Sequence, residues 1–161
     1  MTPGRADGSR LCLSCGLCCQ GVLHDWAKIE EDEIGLAERL ELRTASRPEG
    51  HVFALPCHHH RDDACTVYDQ RPSPCRGYRC KLLLGYLAGE VSWDESLQRV
   101  EQVKRLIGTI RSRLGSSPAE GSVWRQLRET GDGGDTALSL DVASLLALCR
   151  RHFQDQAGTG T

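Results

Sequence analysis

Eight of the nine cysteines fall between Cys12 and Cys80, and the ninth, Cys149, stands alone. No other feature limits so strongly what these 161 residues can fold into. Thiols at that density either form disulfide staples or hold metal, and the redox compartment decides between the two. The opening residues, Met-Thr-Pro-Gly-Arg-Ala-Asp-Gly-Ser-Arg, carry no apolar secretion segment. A cytoplasmic chain with reduced thiols is therefore expected. Clustered reduced thiols point to metal rather than to a set of small buried hydrophobes.

The remaining composition narrows the partners. Hydrophobic residues make up 39% of the chain, enough for a core, although two Phe, three Tyr and three Trp anchor it thinly. Lys and Arg number 20 against 22 Asp and Glu, a formal charge of −2, and both halves are near balance. That excludes the basic footprint of a nucleic-acid binder and the polybasic face of a membrane-surface protein. The longest apolar run, Leu82 to Gly89, falls far short of the roughly 20 residues that cross a bilayer.

The first cluster reads Cys12-Leu-Ser-Cys15-Gly-Leu-Cys18-Cys19. A Cys-x2-Cys pair aims two thiolates at one site, with sulfurs about 3.8 Å apart on a tetrahedral ion with bonds of about 2.3 Å. Here the spacing repeats, so Cys12, Cys15 and Cys18 are expected to serve one loop. Cys19 points elsewhere, because neighbours in extended or turn backbone diverge. The second cluster, Cys57 to Cys80, is broken by Pro72, Pro74 and Gly77 and reads as an irregular loop rather than helix or sheet. A bound ion or cluster would hold such a loop.

Around the clusters, residues 1–10 read as a loose tail, Val22–Ile29 as a short strand and Ile34–Leu42 as an amphipathic helix behind an acidic start. Thr44–Gly50 reads as a polar loop and Val52–Leu55 as a strand. Leu82–Ala88 is a short helix or turn. Ser92 and Glu95 form a capping box. From there Trp93, Leu97, Val100, Val103, Ile107, Ile110 and Leu114 repeat every 3.5 residues on average, one face of a long helix. So short a seam packs on its own chain more often than it dimerises, although a protein partner on the 93–114 helix stays open. Short and long helices follow over Trp124–Glu129 and Leu138–Phe153, the latter burying Cys149 in its apolar face. The Gly131–Asp135 loop has no preceding strand and reads as a turn.

The downstream cysteines carry a family resemblance. Cys12, Cys15, Cys18 and Cys19 open the pattern, Cys57 follows, and Cys65, Tyr68, Arg71, Pro72, Cys75, Arg76, Tyr78 and Cys80 close it. This resembles the YkgJ-type cysteine cluster family, whose domain is described as zinc- or iron-chelating. The resemblance covers residues 12–80 and departs from the family at His58-His59-His60, where family members are more apolar. It implies Cys12, Cys15, Cys18, Cys19, Cys57, Cys65, Cys75 and Cys80 as ligands, and it includes Arg71 and Arg76. Those arginines either lie against the metal centre, offsetting its negative charge, or brace the loop by pairing with Asp62, Asp63 or Asp69. Arg61 and Arg79 are read as braces, Tyr68 and Tyr78 as packing residues, and the three histidines as a solvated run with ligation the lesser alternative.

Two metals remain open. Three thiolates in one short loop plus a remote fourth is the ferredoxin manner of holding a [4Fe–4S] cluster, and this is slightly preferred. Eight thiolates also divide into two four-cysteine Zn2+ sites. The resemblance extends to flagellin lysine methylases, in which a cluster of this type is part of a longer chain, so an accessory part of a methyl-transfer enzyme is one alternative. A zinc-folded interaction module is another, and independent catalysis is not expected. The expected architecture is a small, irregular, metal-nucleated α+β domain, mostly helical. Its parts are a 1–10 tail, a cysteine-cluster domain over 11–90, amphipathic C-terminal helices over 91–155 packed on it, and a 156–161 tail.

Overall fold

In the computed structural model, residues 8–118, 121–131 and 133–154 are described. The fold is α+β and mostly helical. Seven α-helices and two small antiparallel sheets occur among the described residues. They gather into two compact units, one running from Gly16 to Tyr78, the other comprising the residues up to Cys15 and those from Arg79 onward. Helix α1 (Gly8–Cys15) and helix α4 (Lys81–Leu87) are grouped with the C-terminal helices.

In the Gly16–Tyr78 unit, strands β1 (Trp26–Lys28), β2 (Thr44–Arg47) and β3 (Gly50–Ala54) form a sheet in the order β1-β3-β2. Trp26 pairs with Ala54 on one side of β3, and Thr44 with Phe53 on the other. The β2 strand replaces the polar loop expected over Thr44–Gly50. All four of its residues are exposed, so backbone pairing makes the strand and no apolar alternation advertises it. Between β1 and β2 a 3-10 turn at Glu31–Glu33 leads into α2 (Ile34–Arg39). That helix stops short of the expected Leu42, because Glu41 turns left-handed at φ 52°. Ile29, Ala37 and Phe53 form one buried cluster of the unit, with Ala27, Leu42, Leu55 and Cys75 packed against it, and Leu17, Val22, Leu23, Leu40 and Val52 are buried as well.

The stretch expected to be one irregular loop contains short regular pieces. His60–Arg61 (β4) and Ala64–Cys65 (β5) make a hairpin, a 3-10 turn spans Tyr68–Gln70, and α3 covers Ser73–Gly77. Proline accounts for α3. Pro72 stands at its N-cap and Pro74 in its first turn, where the missing N–H costs nothing. The sequence signs taken as breakers are the start signal of a helix.

The other unit is built on α5 (Trp93–Leu114), whose bounds match the sequence expectation. The Ser92–Glu95 capping box closes its start, and Gly115 at φ 61° ends it. Val100, Val103, Ile107 and Ile110 are buried, and α5 packs on α7 (Thr136–His152), α6 (Val123–Thr130), α1 and α4. Each such side chain contributes about 1.5–3 kcal/mol when fully buried. The apolar seam of α5 is thus covered within its own unit. Arg111 is buried beside it, donating to Gln126 Oε1 and the Gly121 carbonyl, both at 3.2 Å. Asp135, at the end of the glycine-rich turn, caps α7 by accepting from the N–H groups of Ala137 and Leu138. Helix α1 begins inside the expected tail. It turns the expected Cys12–Cys15 loop into one helical turn, with Lys104 donating to the Ser14 carbonyl at its end. The rest of the two expected tails lies outside the described residues. No described helix is long and apolar enough to cross a membrane.

Candidate metal centre

None of the nine cysteines is joined in a disulfide. Eight are half-buried, while Cys149 is 2% exposed in the apolar face of α7, as its sequence surroundings suggest. Burial pushes the Cys149 thiol up to about 11 with no charged group acting on it, the profile of an inert core residue.

The Gly16–Tyr78 unit holds five of the remaining eight. Cys18 and Cys19 sit on a tight turn in which Gln20 N–H donates to the Gly16 carbonyl and Gly21 N–H to that of Cys18. Gly16 adopts φ 65°, and a Cβ placed on it would collide with His60 Nε2, so only glycine serves there. The next tie is long-range. Cys57 N–H donates to the Cys19 carbonyl at 2.8 Å, bringing the two clusters side by side.

Cys57, Cys65 and Cys75 are close enough for their charges to interact. Burial raises the Cys57 thiol, hydrogen bonding from the backbone at His59 and His60 opposes that, and Cys65 adds to the rise; the His60 N–H also donates to the Cys57 carbonyl at 3.1 Å. Cys75 is pushed up to about 11, first by burial and then by Cys57, while Arg71 pulls the other way. Three thiols with mutually repelling thiolate forms and backbone donors aimed at one sulfur suit a cation or a cationic cluster. Among the described residues, no three His, Cys, Asp or Glu side chains converge as a ready ion cage. The fit therefore rests on donor chemistry and on the segments that bring the sulfurs near.

Arg71 and Arg76 part in role. Arg71 lies 3.4 Å over the Tyr68 ring, donates from Nε to the Tyr68 carbonyl at 2.6 Å, and is the cation beside Cys75. Arg76 donates to the Arg71 carbonyl at 2.7 Å and pairs with Glu33 at 3.3 Å, a brace whose partner the sequence reading did not name. Glu33 also accepts from the Ser73 N–H and hydroxyl, fixing the start of the helix that carries Cys75.

The histidine run is not the solvated loop expected. His59 donates from Nε2 to the Leu40 carbonyl at 2.7 Å, His60 packs over Gly16 opposite Cys65 in the hairpin, and His58 stacks on His59 at 4.1 Å. Sequence reasoning also passed over His24. Its Nε2 is buried with no hydrogen-bond partner among the described residues, and its ring meets Tyr78 edge-on at 4.8 Å. Burial lowers its pKa, with Asp25 opposing.

The other unit carries Cys12 and Cys15 one turn apart on α1, and Cys80 at the N-cap of α4. Cys80 Sγ accepts the Leu83 N–H at 3.4 Å, and burial raises its thiol against the pull of such donors.

A family model for zinc- or iron-chelating domains, named CxxCxxCC after its cysteine pattern, matches residues 11–102. That span contains all eight clustered cysteines and more than half of the chain. No curated protein and no solved structure matches the chain.

Proposed function

The chain belongs to the CxxCxxCC family of zinc- or iron-chelating domains, and from that premise we propose that it is a cytoplasmic protein holding a [4Fe–4S] cluster through thiolates of its eight clustered cysteines. The observation that carries the reading is the mutual influence of Cys57, Cys65 and Cys75 within one compact unit. They come from three separate segments, whereas a structural zinc ion is commonly gripped by close-spaced pairs. A cubane takes four thiolates, and Cys18 or Cys19 of the same unit would complete Cys57, Cys65 and Cys75. Cys12, Cys15 and Cys80 lie in the other unit and belong to the wider set of ligands that the family pattern implies.

When bound, the cluster supplies one-electron redox chemistry or a rigid cross-link. The chain's own residues prepare for it. The N–H groups of His59 and His60 stabilise the Cys57 thiolate, Arg71 offsets charge at Cys75, and Arg76 with Glu33 fixes the loop between them. The metal nucleates the irregular segments of this unit that carry the cysteines.

Anaerobic purification followed by metal and sulfide analysis tests the reading. Iron and acid-labile sulfide in equal amounts, with broad visible absorption, are expected. Zinc without sulfide would overturn the cluster and keep the thiolate site. Protein with no metal, and no uptake of either, would overturn both.

A further inference from the structure

We propose that His24 belongs to the metal centre, its Nε2–H donating a hydrogen bond to a sulfur atom of that centre. The inference rests on the thiolate-centre reading above and extends it to a residue outside the cysteine pattern and its arginines.

His24 Nε2 is buried and meets no partner among the described residues. Buried polar atoms in folded proteins are almost always satisfied, so this nitrogen faces a group that the polypeptide alone does not provide. Its position says which. The Cys57 N–H binds the Cys19 carbonyl at 2.8 Å and the Leu55 N–H binds the Asp25 carbonyl at 2.9 Å, so residues 19–25 run beside residues 55–57. On the other side the His24 ring stands 4.8 Å from Tyr78, whose N–H donates to the carbonyl of Pro74, the residue before Cys75. His24 therefore lies where the segments bearing Cys19, Cys57 and Cys75 come together.

A neutral imidazole carries one N–H. Metal-bound sulfur is an anionic acceptor, and donors to it offset charge and fix orientation. Direct ligation is the weaker choice, because the same unit already offers five thiols for four positions.

The test compares metal retention in the full chain. Wild type, His24→Phe and His24→Gln are loaded identically, and release of metal to a competing chelator is timed. Phenylalanine keeps a ring against Tyr78 but has no N–H, so release about tenfold faster or more is expected. Glutamine restores a donor and falls between. Phenylalanine retention equal to wild type would overturn the role of His24 while leaving the metal reading intact. Wild type that takes up no metal would remove both. Should the phenylalanine variant fail to fold, wild type labelled with 15N-histidine decides. The expected His24 Nε2 signal stays protonated and shifts between stripped and loaded protein. An unchanged signal, or loss of that proton on loading, overturns the hydrogen bond.

Discussion

The Glu33 carboxylate accepts the Ser73 backbone N–H at 2.8 Å and the Ser73 hydroxyl at 2.6 Å, from forty residues upstream. Helix α3 has no side-chain cap of its own, because proline fills its N-cap position. Glu33 caps it from another element and thereby sets where Cys75 stands.

Replacing Glu33 with Ala should cost about 0.5–2 kcal/mol, the range for a lost N-cap. Urea unfolding measures the loss. Ser73→Ala should cost less, because the N–H bond remains. Metal content should fall in the Glu33→Ala protein, since the start of the Cys75 helix is then unheld.

Cysteine variants should separate by position. Cys57→Ala and Cys75→Ala should lose much of the bound metal, whereas Cys149→Ala should keep it all. Elemental analysis of the purified variants checks this. Equal loss in all three would remove the distinction between the clustered thiols and the core thiol.

Metal-free protein should lose stability as pH rises from about 9, the ordinary value, through about 11, the raised value of both Cys75 and Cys149. The sign follows from burial. The folded state holds these thiols protonated, so stability is complete below 9 and declines as they are forced to ionise. Urea midpoints from pH 8 to pH 11 should slope downward, and less steeply in Cys75→Ala. The loaded protein should show the opposite trend on the acid side, because protons compete with metal for the thiolates.

Gly16→Ala should destabilise the Gly16–Tyr78 unit twice over. The left-handed backbone costs about 1–3 kcal/mol for a residue with a Cβ, and the added atom strikes His60. Combining it with His60→Ala should relieve the collision and leave the backbone cost. The two changes should therefore be non-additive in a double-mutant cycle of unfolding.

The helical unit was far more legible in the sequence than the Gly16–Tyr78 unit. Helix α5 is written out by its apolar period, its Ser92 cap and Gly115, all local signals. Cys149 was likewise placed by its leucine neighbours. Strand β2 was missed because both its faces are exposed and only hydrogen bonds to β3 define it. Helices α1 and α3 were missed because a cysteine-spacing motif and two prolines were read as loop signals. Glu33 and His24 were invisible for another reason. Their roles depend on residues forty or fifty positions away, and nothing in their immediate neighbours records it.

The β4–β5 hairpin turns through Asp62 and Asp63, both left-handed at φ 49° and 59°, so that Cys65 lies opposite His60. Side chains alternate between faces along a strand, so one residue more or fewer would carry the sulfur to the far side. The turn acts as a length gauge: its two left-handed positions admit Asp, Asn or Gly, and their number is fixed.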